Sequence, residues 1–389
     1  MRRNAYAIVG CTMLLLAIGL GAVFSGSYPL ASCLDRCNND AFYFVKRQAI
    51  WAAVGVVGML IASRLDHIHC RRLSWPLLIV SAVLLVLCFV PGIGVRINGS
   101  NRWVRFGPVT FQPSELAKLA VIIFLADYLD RWRWVVKQIQ WRRLVRRELK
   151  SSDLNWGFLL PMGVVTVIGA LIFCEVDVGG AALVVLVAGV MLFIGGVPSW
   201  LLLFVYGGVA TAAGVFVMNN PVRAERVWRY IEQLLRGVLL DPQHQQGFWA
   251  FVRGGWFGVG PGCGIAQHFY LPLAFSDFIA PVIGEEFGFM GMLLLLAAFA
   301  TFISAGAAAS WRARDGFCRL LGMGIVVLIG FQALINLGVA VALLPTKGMP
   351  LPFISYGGSN LVVLLIGVGL LIGIANRAGI SESKYSIEG

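Results

Sequence analysis

The chain has little charge. Only 13% of its 389 residues are Asp, Glu, Lys or Arg, against 59% hydrophobic residues and a mean hydropathy of +0.82. A soluble domain carries about twice that charged fraction. Long apolar runs recur along the whole length, which excludes a globular domain with a greasy core and leaves an integral membrane protein. Acidic residues are the scarcer sign, 19 against 31 Lys and Arg, giving a net charge of +12. In a membrane protein such an excess marks cytoplasmic loops beside anionic lipid, not a nucleic-acid partner. Histidine is rarer still, with 4, and the 8 cysteines are scattered with no CxxC pair, which argues against a structural metal site. Cys33 and Cys37 fall in an expected external loop where an oxidising compartment would permit a bond, which spacing alone does not establish.

What the chain has instead is spans. Windows of about 20 residues place ten of them near 6–24, 48–64, 75–91, 113–130, 157–174, 179–197, 199–218, 282–309, 319–344 and 360–376. The first follows MRRN without an A-x-A cleavage site and reads as a retained helix, not a signal peptide. Alternating spans put Arg2 and Arg3, Arg64, Arg71 and Arg72, the dense run from Arg131 to Lys150, and Arg312, Arg314 and Arg319 on one side. That side is the cytoplasm, and both termini lie there. The basic amphipathic stretch 131–150, with Trp132, Trp134 and Trp141, is expected along the inner membrane surface. The expected class is therefore all-α: one polytopic membrane domain over 1–389, about ten helices, with a large extracytoplasmic loop at about 219–281. That loop carries Arg223, Arg226, Arg229, Arg236 and Arg253 among Trp228, Tyr230, Trp249 and Trp256.

Four polar stretches interrupt the apolar text. In FQPSELAKLA, Pro113 suits a first helical turn, and Ser114 and Glu115 stand where the helix dipole favours oxygen and negative charge. Lys118 falls on their face about one turn into the membrane, where an ionisable group is a functional candidate; the plainer reading is that it only pairs with Glu115. FCEVDVGGAAL sets Glu175 and Asp177 in an outer turn, expected to be solvated, before Gly179 and Gly180. LLPTKGMPLPFISYGGSN, with three prolines and Lys347, reads as an irregular re-entrant segment or as a plain rigid loop. LPLAFSDFIAPVIGEEFGF places Asp277 at the outer rim before a span, where it could accept a proton or hold a divalent cation. Glu285 and Glu286, adjacent on a helix and so diverging by about 100°, cannot both share its face; one is expected to stabilise the helix start.

In this order, these strings resemble the shape, elongation, division and sporulation (SEDS) family over nearly the whole chain. The carrying residues are RW at 102–103, FQPSELAKLA, VDVGGAALV, YLPLAFSDFIAPVIGEEFGFMG and LPTKGMPLPFISYGGSN. YFVKRQAIW and VPGIGVRINGSNRW are more similar to the division branch than to the elongation branch. The resemblance implies a ten-helix peptidoglycan glycosyltransferase that polymerises lipid II on the outer face of the cytoplasmic membrane, at the division septum. It puts the essential acid on Asp277 and substrate binding on Arg102, Trp103, Gln112, Ser114, Glu115, Lys118, Lys347, Ser355 and Ser359. It leaves room for a divalent cation, Mg or Mn, at Asp277 and calls for no organic cofactor. The implied partners are lipid II, membrane lipids, a single-span class B penicillin-binding transpeptidase and other divisome membrane proteins. The large loop and the eighth and ninth helices, with their small-residue run SAGAAAS (304–310), are the expected transpeptidase contacts. The chain departs from the family pattern at Leu273, where glutamate is frequent, at VDVG, where Pro-Asp-Leu-Gly is usual, and at Thr110, where many members are basic; Arg105 is the substitute. Other readings of the same residues are a lipid II flippase, an elongation-type polymerase and a divisome scaffold.

Overall fold

The computed structural model describes residues 2–33, 40–97, 100–107, 109–139, 154–219, 221–266 and 274–385. Cys37, Leu273 and the basic stretch 140–150 lie outside the described residues. Each of the ten expected spans falls on a helix: α1 (Arg2–Cys33), α2 (Tyr43–Arg64), α4 (Ser74–Leu87) after a short α3 (His67–Arg72), α5 (Pro113–Arg131), α7 (Leu160–Cys174), α8 (Val178–Ile194), α9 (Ser199–Met218), α12 (Ile279–Trp311), α13 (Gly316–Ala340) and α14 (Gly358–Tyr385). Among the described residues six helices are long and apolar enough to cross a membrane by length and composition, and Ser74–Leu87, Val178–Ile194 and Ser199–Ala212 are shorter apolar helices. The amphipathic stretch contributes α6 (Arg133–Gln138), whose Trp134 is exposed, while Trp132 stacks between Tyr128 and Trp156.

α5 is the axis of the bundle. From Pro113 to Leu129 nearly every residue is buried, with α4, α8 and α13 packed most heavily around it. That position explains a composition too polar for a lipid-facing span: its charged groups meet protein, not hydrocarbon. α2 lies along α14 and α1 along α12. At Gly369 the α2–α14 approach is so close that a Cβ would stand 2.3 Å from the Met59 carbonyl oxygen. The small-residue run SAGAAAS is largely spent inside the molecule: Ala305, Gly306 and Ala309 are buried, and a Cβ on Gly306 would meet Val326 of α13.

At one end of the bundle Arg71 of α3 binds Asp130 at 2.6 Å and Asp315, the N-cap of α13, at 2.7 Å, and Arg131 binds Asp127 at 2.8 Å. These groups lie on the side that the basic connections mark as cytoplasmic. At the opposite end the chain departs from an all-helical reading. There β1 (Gly94–Ile97), β2 (Ser100–Phe106) and β3 (Val109–Phe111) form an antiparallel sheet in the order β1-β2-β3. The stretch read as one long loop holds α10 (Pro221–Arg236) and α11 (Pro242–Gly254).

α12 is broken near its outer end. Gly288 adopts φ 65°, ψ −161°, outside helical geometry. The backbone groups this break releases are taken up by residues 255–260: Val259 N–H donates to Glu285 O at 2.9 Å, Gly260 N–H to Glu286 O at 3.1 Å, and Phe289 N–H to Gly255 O at 2.9 Å. Both glutamates serve the same junction. Glu285 accepts the N–H groups of Ile265 and Ala266 at 3.0 Å each; Glu286 accepts that of Gly262 at 3.1 Å and the hydroxyl of Ser25. Gly258 sits at φ +82° with its missing Cβ 2.1 Å from the Glu286 carbonyl oxygen. Gly258→Ala therefore combines left-handed strain of about 1–2 kcal/mol with a backbone collision. Gly237→Ala, at φ +64° with nothing within 4 Å, carries the strain alone. The thermal midpoint in detergent is expected to fall clearly further for Gly258→Ala than for Gly237→Ala.

Candidate active site

Five segments meet at the outer end around a cavity of about 220 Å³. β2 contributes Ser100, Arg102 and Trp103; the start of α5 contributes Gln112, Glu115 and Lys118; the α7–α8 turn contributes Asp177. Ser276 and Asp277 come from the turn before α12, and Gly348, Met349, Pro350 and Tyr356 from the last irregular segment, which runs on into Ser359 and Asn360 at the start of α14. A larger cavity of about 580 Å³ between α1 and α12 has a mostly apolar lining and none of the predicted site residues.

Neighbouring residues of a regular strand point to opposite faces, yet Arg102 and Trp103 both line the cavity. The register supplies the reason: Val95 pairs with Trp103 but Arg96 with Asn101, so Arg102 is the extra residue of a β-bulge. Its guanidinium Nη2 donates to the Val176 carbonyl at 2.6 Å and its Nε to that of Glu175 at 3.3 Å. Val176 has φ 67°, a left-handed conformation that a β-branched residue rarely adopts, and Arg102 fastens the turn in that shape.

The same turn corrects the expectation of a solvated Glu175 and Asp177. Glu175 is 1% exposed, and neither carboxylate oxygen accepts an N–H or O–H hydrogen bond among the described residues. Burial pushes its carboxyl up to about 8, with the Cys88 thiol opposing, Asp177 adding to the rise and Arg102 opposing. Asp177, also buried, caps α8 by accepting the Gly180 N–H at 3.0 Å.

Lys118 and Glu115 form an ion pair of 2.7 Å, both nearly buried, and Asn360 Nδ2 donates to the same Glu115 oxygen at 2.7 Å. The expected pair forms, and both of its members line the cavity. Ser114 lies behind, fully buried, and accepts from Gln112 Nε2 at 3.1 Å. Ser359 reaches the cavity and accepts the Gln112 N–H at 3.1 Å.

Asp277 rests on the edge of the cavity against Gly348, where a Cβ would stand 2.7 Å from its Oδ2. Burial raises its carboxyl above the usual aspartate range; the Ser276 hydroxyl at 3.1 Å and the charge of Arg102 pull it down, and Asp177 raises it. The backbone of its turn is held carbonyl by carbonyl. Tyr356 N–H donates to Phe275 O at 3.0 Å, Ser355 Oγ to Ser276 O at 2.6 Å, and Asn336 Nδ2 to Asp277 O at 2.9 Å. Ser355 does not line the cavity: its oxygen also accepts the Leu351 N–H at 2.7 Å, which makes it a brace for the irregular segment. Lys347 stands just outside the lining with its Cε beside Gly179, and burial lowers its ammonium pKa against the pull of Asp177. The segment 349–355 is largely buried and non-helical, as the re-entrant reading expects. Ser100, Asp177, Ser276, Tyr356 and Asn360 are polar lining residues that sequence reasoning did not assign to the site, each inside a stretch already singled out.

The family model for the cell cycle proteins FtsW, RodA and SpoVE matches residues 6–379. A probable peptidoglycan glycosyltransferase FtsW from Geobacter metallireducens is 36% identical over 380 residues, covering 97% of this chain and 96% of that protein. Stage V sporulation protein E of Bacillus subtilis is 34% identical over 370 residues, covering 95% and 96%. Among solved structures, a chain from work on polymerization and crosslinking by a peptidoglycan synthase complex aligns with TM-score 0.74 at 26% identity, covering 96% of this chain and 98% of that one. The Rod shape determining protein RodA of Thermus thermophilus aligns with TM-score 0.65 at 25% identity, covering 96% of each.

Two stability measurements follow from these burials. Lys118→Met leaves the buried Glu115 without its cation and with the Asn360 hydrogen bond alone, which is expected to cost about 3–5 kcal/mol in denaturant unfolding; adding Glu115→Gln is expected to restore most of it. Glu175 ionises near 4.5 in a free chain and near 8 when folded. Between those values the folded protein keeps a proton that the unfolded chain has released, so stability falls as pH rises through that window. Glu175→Gln is expected to flatten the fall, raising the thermal midpoint over wild type at pH 8 and not at pH 4.

Proposed function

The chain belongs to the FtsW/RodA/SpoVE family of cell cycle proteins, and from that membership we propose that the outer cavity is where it joins lipid-linked disaccharides into glycan strands. It is a multi-pass membrane enzyme, a peptidoglycan glycosyltransferase of the division type. The observation that carries the site assignment is the convergence of Arg102, Trp103, Gln112, Glu115, Lys118, Asp277 and Ser359, scattered over more than two hundred and fifty positions, on one cavity.

The substrate is lipid II. A sugar hydroxyl of one molecule attacks the anomeric carbon of the other. The new glycosidic C–O bond forms as the bond from that carbon to the diphosphate breaks, the proton passes to Asp277, and the centre inverts. A carboxyl held above its usual range by burial is a stronger base than a solvated aspartate. The diphosphate leaves as an anion and takes no proton, provided cations receive it. Lys118, Arg102 and Lys347 are the receiving charges. Lys118 exchanges part of its bond to Glu115 for phosphate oxygens. Arg102 stays pinned to the 175–176 carbonyls and presents its remaining N–H groups.

A divalent cation fits this donor set. Among the described residues no three His, Cys, Asp or Glu converge, so the shell would combine Asp277 with diphosphate oxygens and water, the manner in which Mg²⁺ is usually held. When bound, the ion would neutralise the departing diphosphate. The partner at the septum is a transpeptidase that crosslinks the product. With SAGAAAS packed internally, the exposed faces of α10, α11 and α12 are the surfaces left for it.

The test is polymerisation by purified protein with lipid II in detergent, where no second compartment exists for transport. Wild type is expected to make glycan chains. Asp277→Asn is expected to bind lipid II and keep its thermal midpoint while turnover drops at least a hundredfold, on the order of a lost general base. The wild-type rate should climb with pH through a value above the ordinary aspartate range. Normal chain synthesis by Asp277→Asn would remove the assignment.

A further inference from the structure

α13 carries two buried amides one turn apart, Gln332 and Asn336, both directed at the irregular segment that walls the cavity. Gln332 Nε2 donates to the Pro350 carbonyl at 2.9 Å. Asn336 Nδ2 donates to the Met349 carbonyl at 2.6 Å and to the Asp277 carbonyl at 2.9 Å. An amide nitrogen carries two donors, and Asn336 uses both, one on each side of the cavity edge. In each side chain the amide oxygen is buried without a partner among the described residues. A leucine of similar volume would leave no such oxygen stranded, so the amides are kept for what their nitrogens hold.

The two do different work. Gln332 touches only the wall. Asn336 ties the wall to the backbone of Asp277 itself, and its hold is independent of the other two carbonyl grips, which both come from residues 355–356. Those two grips hold the turn at Phe275 and Ser276 and leave the Asp277 carbonyl to the third, which holds Asp277 against Gly348, whose missing Cβ leaves the carboxylate its place.

We propose that Asn336 is a positioning residue for the transfer reaction: it holds the Asp277 carboxylate at the cavity edge by joining the Asp277 and Met349 carbonyls through one amide nitrogen. This rests on the reading of Asp277 as the base. Asn336 touches no substrate, so its loss misplaces the base without removing a binding contact, and the damage belongs in kcat and not in KM. Misplacement by about 1 Å can cost as much as a hundredfold in rate.

The experiment compares Asn336→Leu with Gln332→Leu in detergent, measuring lipid II polymerisation, the thermal midpoint, and carbodiimide modification of Asp277 by peptide mass spectrometry. Asn336→Leu is expected to lower kcat at least tenfold with KM within twofold and to raise Asp277 modification severalfold. Gln332→Leu, with a similar loss of thermal midpoint, is expected to leave both within twofold. If both variants lose activity in proportion to their loss of midpoint, or if Asp277 is modified at the wild-type rate in Asn336→Leu, the proposal falls. If Asp277 modification rises while turnover is unchanged, Asn336 does hold the turn, and it is the assignment of Asp277 as base that fails. Should Asn336→Leu not fold, Asn336→Ser, whose hydroxyl has one donor and cannot bridge two carbonyls, gives the same comparison.

Discussion

The site depends on a backbone, not on a side chain. Three successive carbonyls, those of Phe275, Ser276 and Asp277, are each received by a donor from elsewhere in the fold. A carboxylate at the end of an irregular turn would otherwise sample many positions, and ordering it would cost conformational entropy at each binding event. Hydrogen bonds to the main chain fix where the side chain starts without occupying its oxygens. The Asp277 carboxylate is therefore placed and still available, its recorded side-chain partner being the Ser276 hydroxyl.

A second constraint is that a charge carried into the buried bundle is costly unless protein groups answer it. α5 carries Glu115 and Lys118 through the centre because each neutralises the other and Asn360 takes up a further bond. The pair gains no net stability from burial that an apolar pair would lack. Its value is that it keeps a cation within reach of the cavity in a form the membrane protein can tolerate. Arg102 follows the same logic by a different route. It is anchored on backbone carbonyls, which carry no net charge to cancel it, and it rigidifies a turn that includes the strained Val176.

Much of this was legible in the sequence, and what was not has physical causes. The helices could be read because length and hydropathy are additive along a segment, Glu115 and Lys118 because ionisable groups are costly inside apolar text, and Arg102, Trp103 and Ser359 only through the family resemblance. The alternation rule gives no warning of the bulge at Arg102, since a bulge depends on the partner strand's register and not on the strand's own residues. Glu175 was read as solvated because a turn between spans normally is; its burial comes from β2 and the end of α4 closing over it, a tertiary fact. Ser355 shows the converse error. It lay in the right motif and beside the right residues, but its hydroxyl faces the protein's own backbone.

Three carboxylates in ten residues, Asp277 before α12 and Glu285 and Glu286 within it, invite a single explanation, such as a shared proton or a metal. The two glutamates instead accept backbone N–H groups from residues 262–266, which follow the segment 255–260 that closes on the Gly288 break. A break in a spanning helix frees donors and acceptors that hydrocarbon cannot satisfy, so it requires an inserted segment, and a glycine-dense one brings N–H groups of its own that need acceptors. Buried carboxylates supply them, several bonds to a residue. The break in turn separates the first turns of α12 from the span below, and those first turns follow directly on the turn that carries Asp277. The two glutamates are the structural cost of breaking a helix that must also cross a bilayer.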